Sequence, residues 1–297
     1  MDKSEIFLEY RNLIFSIAYD MLGSVDDAED IVNEVYLKWM SIDAEEIKQV
    51  KAYLVKVATN MSINYLKSAR KKREQYSGVW LPEPIERQYE TRPDAPVEIY
   101  YSLSIGMLLL LEKLTAIERA VFLLREVFSY DYLEISEIIN KSEDNCRQIF
   151  KRARQHLSGE EKRFTIDIKS HEKILNQFLD ATYSGNIDAL INLLKDDITF
   201  FADGEGKVIG VNGERIRAIS QSLHGKQQVA NFMIGVTAKF KKISPESEFI
   251  IKVINNFPAL VIYINSKAAI AIMFELIENK IANIYAQGNP DKLRHVF

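Results

Sequence analysis

A single cysteine, Cys146, excludes an internal disulfide framework and a cysteine-built zinc site. The four histidines, His156, His171, His224 and His295, are scattered without metal-ligand spacing, so neither a metal nor a cofactor is expected. No apolar run approaches the ~18 residues of a membrane-crossing helix. The opening MDKSEIFLEY lacks the basic-then-apolar order of a signal peptide. Internal repeats and low-complexity tracts are missing as well. These absences point to a cytoplasmic protein with no membrane contact. An excess of basic charge is also lacking: the net charge of −4 argues, weakly, against a nucleic-acid protein.

What is there fits globular domains. Of the 297 residues, 47% are hydrophobic and 27% charged, enough for two or three domains of ~100–150 residues, each with a core. The mean charge hides segregation. Residues 26–34 hold five acids and no base, residues 61–73 five bases and no acid, and residues 145–157 four bases and no acid. Separated charge of this kind suggests distinct partner surfaces.

Residues 4–73 lack proline and repeat their apolar positions at helical spacing. Gly23-Ser24 ends one helix there, and Ser24 or Asp26 caps the next. Residues 77–97 change character, with Ser77-Gly78, Pro82, Pro84, Pro93 and Pro96 marking an extended linker. Helical periodicity returns over 99–157, and Ser158-Gly159-Glu160-Glu161 forms a second hinge. Beyond it, helices are expected near 170–183, 187–195 and 213–240. From Glu248 an antiparallel meander follows, with turns at Asn256-Phe257-Pro258, Ser266-Lys267 and Asn279-Lys280. Helices on one side of such a meander make an α+β domain.

Three surfaces carry chemistry. On a helix over 27–39, Val32, Val35, Tyr36 and Trp39 form the apolar stripe, with Asp27, Asp30 and Glu34 on another side. Such an acidic face is either a docking surface or simply solvated. On a helix over 53–73, Leu54, Ala58, Met61 and Tyr65 form the stripe, while Lys56, Asn60, Asn64, Lys67 and Lys71 share a face, with Arg70 in the same basic run. Lysine and arginine neutralise phosphates and asparagine can bond base edges, although a basic helix end is also what the helix dipole favours. Third, Thr115 and Glu118 form a capping-box pattern, a helix spans 132–139, Asn140-Lys141 turns, and Ser142 caps a helix to 157. Cys146, Ile149, Ala153 and Leu157 point inward on that last helix, so Cys146 reads as a small core residue. Asn145, Arg147, Gln148, Lys151, Arg152 and Arg154 are the candidate DNA-reading residues, in a helix-turn-helix arrangement that also occurs as a plain helix pair.

These surfaces occur in the order of one family. Tyr10-Arg11, Ile17-Ala18-Tyr19, Met21-Leu22-Gly23-Ser24 and Asp27-Ala28-Glu29-Asp30-Ile31-Val32 resemble the opening of region 2 of extracytoplasmic-function sigma factors. Ala52-Tyr53-Leu54 and Ala58-Thr59-Asn60 resemble its promoter-melting helix. Leu114-Thr115 with Glu118-Arg119, through Ser136-Glu137-Ile138 to Arg147-Gln148 and Arg152-Ala153-Arg154, resemble region 4. Trp80-Leu81-Pro82-Glu83-Pro84, Asp203-Gly204-Glu205-Gly206-Lys207 and Asn289-Pro290-Asp291-Lys292-Leu293 are similar to motifs of the subgroup with a fused SnoaL-like domain, Glu205 departing from its usual glycine.

The resemblance implies two all-α sigma domains plus a C-terminal α+β cone: region 2 at 1–76, a linker at 77–97, region 4 at 98–160 and the cone at 166–297. It implies core RNA polymerase and promoter DNA as partners. Asp27, Asp30 and Glu34 would dock on the clamp helices of the largest polymerase subunit. The basic helix would take the −10 element, the helix-turn-helix the −35 element, and region 4 would also touch the polymerase flap. The cone would regulate the sigma domains through intramolecular contact, with the three motifs near one another. Two rivals stand beside this reading: a ligand-sensing DNA-binding regulator, and a SnoaL-like cyclase or isomerase using Asp203, fused to a DNA-binding module.

Overall fold

The computed structural model describes residues 2–43, 47–74, 76, 78–86, 103–157, 168–204, 207–209, 215–217, 221–243 and 246–297, with the side chains of all but 69–74, 168–169, 207–209, 215–217 and 243. The expected hinge at 158–161, the linker beyond residue 86, Gly206 and the side chains of Arg70, Lys71 and Lys207 lie outside the described residues. The chain divides into two compact units. One comprises Met1–Gln75, Arg92–Leu103 and Leu110–Gly159, the other Tyr76–Thr91, Ser104–Leu109 and Glu160–Phe297.

The first unit is helical, opening with α1 (Lys3–Leu22), α2 (Val25–Ser41) and α3 (Val50–Glu74). Gly23 closes α1 in the left-handed region at φ 66°, its N–H reaching the Tyr19 carbonyl at 2.6 Å; a side chain is strained there, so glycine ends the helix. Ser24 then caps α2 by accepting the Asp27 N–H at 3.3 Å. Trp39 is fully buried and donates its indole N–H to the Lys3 carbonyl at 2.8 Å. The buried stripe of α3 is broader than expected. Leu54, Val55, Ala58, Thr59, Ser62, Ile63 and Leu66 are covered, while Met61 and Tyr65 stand half-buried at its border. The reason is that α3 packs against α1 and α2 and also against later helices.

The helices that follow are α4 (Ile105–Leu111, divided between the units), α5 (Ala116–Phe122), α6 (Tyr132–Ile139) and α7 (Glu143–His156), of which α5 and α6 pack against α3. Residues Leu123–Val127 continue α5 as a π-helical turn. Capping boxes start α5 at Thr115/Glu118 and α6 at Asp131/Glu134. Asn140 ends α6 at φ 53°, and Ser142 caps α7.

The second unit places α8 (Ile168–Ser184), α9 (Ile187–Leu193) and α10 (Lys226–Ile243) against a six-stranded sheet. Its strands are β1 (Leu194–Ala202), β4 (Leu223–His224), β5 (Glu248–Ile254), β6 (Phe257–Ile264), β7 (Lys267–Ile277) and β8 (Lys280–Gln287), in the order β4-β1-β8-β7-β6-β5. A separate hairpin pairs β2 (Lys207–Ile209) with β3 (Arg215–Arg217). Leu175, Phe178, Leu190, Phe200, Leu260, Ile272, Phe274 and Ile284 fill the space between helices and sheet.

Three expectations need correction. The helix near 187–195 stops at Leu193, because Leu194, Ile198, Phe200 and Ala202 bury one face of a strand that Asp196 and Asp197 obscure in the sequence. The antiparallel meander expected from Glu248 is there as β5-β6-β7-β8, and β1 joins it parallel to β8, which makes the whole sheet mixed. Within the expected 213–240 helix, 215–217 and 223–224 are strand. Gly225, at φ 83°, bonds its N–H to the Ile198 carbonyl and fixes the helix start at Lys226. The hairpin turns also sit slightly earlier than expected, at Asn255-Asn256, Asn265-Ser266 and Glu278-Asn279, all with positive φ as two-residue hairpins require.

His171 on α8 is 1% exposed and stacks on Phe257, with ring centroids 6.3 Å apart. Neither ring nitrogen finds a partner among the described residues, and burial pushes the imidazole down to about 4. Above pH 6.5 the ring is neutral folded or unfolded. Below it, only the unfolded chain takes the proton, so stability falls as pH drops from 6.5 towards 4, by roughly 3 kcal/mol in all. Denaturant titrations of the protein and of His171→Phe across this window should show that part of the acid loss disappearing in the variant. Parallel pH curves would contradict the assignment.

Candidate nucleic-acid interface and linker site

On α2, Asp30 and Glu34 are exposed, whereas Asp27 is half-buried and accepts a hydrogen bond from the Tyr65 hydroxyl. Glu29 beside them pairs with Arg11 at 2.6 Å. On α3, Lys56, Asn64 and Lys67 share an exposed face. Asn60, expected on that face, is half-buried, and its amide donates to the Lys56 carbonyl at 2.8 Å and the Ile138 carbonyl at 2.7 Å. A second tie of the same kind comes from Arg119, 1% exposed, which donates to the carbonyls of Leu111 and Met21 and to Glu112. Thus α3 is bonded to the C-terminal end of α6, and α5 to the end of α1.

Helix α7 has the polarity expected of it. Cys146, Ile149, Ala153 and Leu157 are buried, and Asn145, Arg147, Gln148, Lys151, Arg152 and Arg154 are exposed. Burial pushes the Cys146 thiol up, which keeps it protonated and unreactive. Helix, tight turn and polar second helix are the parts needed to set a side-chain row against base edges in a major groove.

The second cluster lies within the other unit. Residues 79–86 run along it, tied at one end by the Gly204 N–H to the Val79 carbonyl at 2.6 Å. At the other end the Asn255 N–H reaches the Ile85 carbonyl at 2.9 Å and the Glu86 N–H reaches the His295 carbonyl at 3.2 Å. Leu81, Pro82 and Pro84 are buried, and Trp80 and Glu83 half-buried. At the centre, Lys292 meets Asp203 at 2.7 Å, with the two side chains 10% and 3% exposed. The ammonium also donates to the Leu81 carbonyl at 2.9 Å and the Tyr76 hydroxyl at 3.3 Å, and lies 4.8 Å from the ring centroids of both Tyr76 and Trp80. Asp203 accepts further bonds from the Tyr76 hydroxyl, the Leu81 N–H and the Gln287 amide.

A turn presents the lysine. Asn289 accepts the Lys292 N–H on its carbonyl at 3.0 Å and the Asp291 N–H on its side chain at 3.1 Å, with Pro290 in the second position. Asparagine first and proline second is the composition that such a turn favours. Leu293 is buried beside it, while Asp291 is exposed and pairs with Arg294 at 3.2 Å.

Of the candidate motif residues, Trp80, Leu81, Asp203, Gly204, Asn289 and Lys292 thus come together. Tyr76 and Gln287 belong to the same cluster without having been singled out. A separate pair, Lys252–Glu86 at 2.7 Å, holds the other end of the segment and was not singled out either. Their partners lie far away in the chain, and no local pattern marks them.

Two comparisons of the sequence agree with this layout. Sigma-70 region 2 matches residues 6–72 and Sigma-70 region 4 matches residues 106–157. The ECF RNA polymerase sigma factor SigJ of Mycobacterium tuberculosis is 31% identical over 81% of this chain and 74% of its own length. The probable ECF sigma factor SigI of the same species is 22% identical over 96% of this chain and 92% of its own. The crystal structure of SigJ superposes with a TM-score of 0.75 over 98% of both chains at 24% identity, so the fold extends through the C-terminal cone. Region 2, region 4 and a C-terminal α+β domain follow one another here, and the chain belongs to the extracytoplasmic-function sigma factors, which direct RNA polymerase to promoters.

Proposed function

We propose that the chain divides its work among three domains, 1–76, 98–160 and 166–297, and acts in the cytoplasm on core polymerase and promoter DNA. In this reading Asp27, Asp30 and Glu34 dock on the clamp helices of the largest subunit. Lys56, Asn60, Asn64, Lys67, Arg70 and Lys71 engage the −10 element, and Asn145, Arg147, Gln148, Lys151, Arg152 and Arg154 the −35 element, with region 4 also on the flap. The observation that carries it is the polarity of α7, four buried positions opposite a wholly exposed basic face. Asn60 reaches DNA only after it leaves the Ile138 carbonyl, so the −10 contact follows a separation of α3 from α6. No helix among the described residues is long and apolar enough to cross a membrane, in keeping with action on dissolved partners.

The cone, in the same reading, regulates and does not catalyse. The Asp203 carboxylate that acid–base chemistry would use is occupied by Lys292, Tyr76, Leu81 and Gln287. Holding residues 79–86 restricts how the two DNA-reading domains are joined, and loosening that segment changes their reach.

Run-off transcription with purified core polymerase tests the first part. Arg147→Ala and Lys151→Ala should lower promoter use while melting normally. A base contact should cost about 1–3 kcal/mol at one position, and a phosphate contact should weaken all sequences alike and reduce the salt slope by about 1. Full activity in both variants, or tight promoter binding by the chain without polymerase, would sink this assignment.

The second part rests on the buried pair. Lys292→Met leaves Asp203 charged, buried and short of its strongest partner. It should cost about 3–5 kcal/mol of stability, whereas Asp203→Asn with Lys292→Met together should recover much of that. At temperatures where all three proteins are folded, run-off yield from the double variant should differ from that of the parent, and proteases should cut residues 76–86 faster. Equal yields and equal cleavage would separate the cluster from regulation.

A further inference from the structure

Tyr132, the first residue of α6, carries two guanidinium groups. The Arg147 guanidinium carbon lies 4.5 Å from its ring centroid and that of Arg125 4.8 Å. The ring is itself braced from inside: it meets Phe150 edge-on at 6.1 Å, and Phe150 stacks on the buried Phe122 at 6.2 Å. Arg125 belongs to the π-helical turn Leu123–Val127 and donates to the Tyr130 carbonyl at 2.9 Å. Single π-helical turns of that kind are frequent at functional sites. Arg147 is exposed and pairs with Glu143 one turn earlier at 2.8 Å.

An exposed arginine on a helix ordinarily samples many rotamers, and binding must remove that freedom. Here a ring and a carboxylate already restrict it. Bidentate recognition of a base edge depends on the orientation of the planar fork. We propose that Tyr132 is a positioning residue for promoter reading: it holds the Arg147 guanidinium in the orientation that selects a base pair of the −35 element, with Arg125 backing the ring. This rests on the reading of Arg147 as a −35 contact. It makes the aromatic ring, which itself need touch no base, a determinant of specificity. The hydroxyl is not part of the argument, so phenylalanine should serve equally well.

The test uses holoenzyme, reconstituted from core polymerase and the full chain, on promoter fragments randomised across the −35 element. Arg147→Ala should flatten the preference at one base pair by about five- to a hundredfold. Tyr132→Leu should flatten the preference at that same base pair by roughly two- to fivefold and leave the other positions and the salt slope unchanged. Tyr132→Phe should match the parent. Should Tyr132→Leu melt before the assay temperature, Tyr132→Met, with its adaptable side chain against Phe150, takes its place. An unaltered preference in Tyr132→Leu beside a flattened one in Arg147→Ala overturns the proposal and leaves the −35 reading standing. Uniform weakening at every position, or loss in Tyr132→Phe, overturns it too. An unaltered preference in Arg147→Ala removes the reading beneath it.

Discussion

A lysine ammonium and a carboxylate can leave water together only if every donor and acceptor they carry is met. The Lys292–Asp203 pair satisfies this with groups from separate stretches of chain: Tyr76, Trp80 and Leu81 before the region 4 helices, Asp203 after β1, Gln287 at the end of β8, and the turn that begins at Asn289. Moving any one of these segments leaves a buried charge short of partners. The position of residues 79–86 is therefore specified by the pair more sharply than apolar packing alone would specify it. The proline rings and Leu81 fill the remaining space, and backbone hydrogen bonds near Val79 and Ile85 fix the two ends.

The helical unit solves a different problem. Its charges stay mostly in water, and its geometry comes from caps and apolar stripes. Thr115 with Glu118, Asp131 with Glu134, and Ser142 each decide where a helix starts, so the face that α7 turns outward follows from local chemistry. Asn60 and Arg119 depart from this pattern, because each donates to a carbonyl of a helix distant in sequence. A neutral bond of the Asn60 kind has a net worth of about 0.5–1.5 kcal/mol once water competes. Ties of that size select an arrangement without making it permanent.

How much could be read beforehand follows from range. The capped helices, the Asn140 turn and the inward row of α7 were legible because their causes lie within a few residues. Strand β1 was not. Its burial alternates only with respect to a parallel partner, β8, about 80 residues later in sequence, and a crossover of that length leaves no local mark. The small strands at 215–217 and 223–224 were equally hidden, since short alternation with charged flanks reads as helix just as well. In the linker cluster the resemblance pointed to Trp80, Asp203 and Lys292, but not to their bonds. Tyr76 and Gln287 escaped because what defines them is a partner 127 and 84 residues away.

The bridge between Glu86 and Ile254 lies at the outer side of β5, whose only strand neighbour among the described residues is β6. Edge strands offer unpaired backbone groups to any passing chain, and proteins guard against this by covering them. Residues 79–86 contribute such a cover at the end of β5, and with Leu81, Pro82 and Pro84 they keep apolar surface out of water. Freeing the segment would thus uncover a sticky edge and an oily strip at once. Solubility then sets a condition on control: whatever draws the linker away must shelter those surfaces itself, or let go quickly enough that no second molecule arrives first.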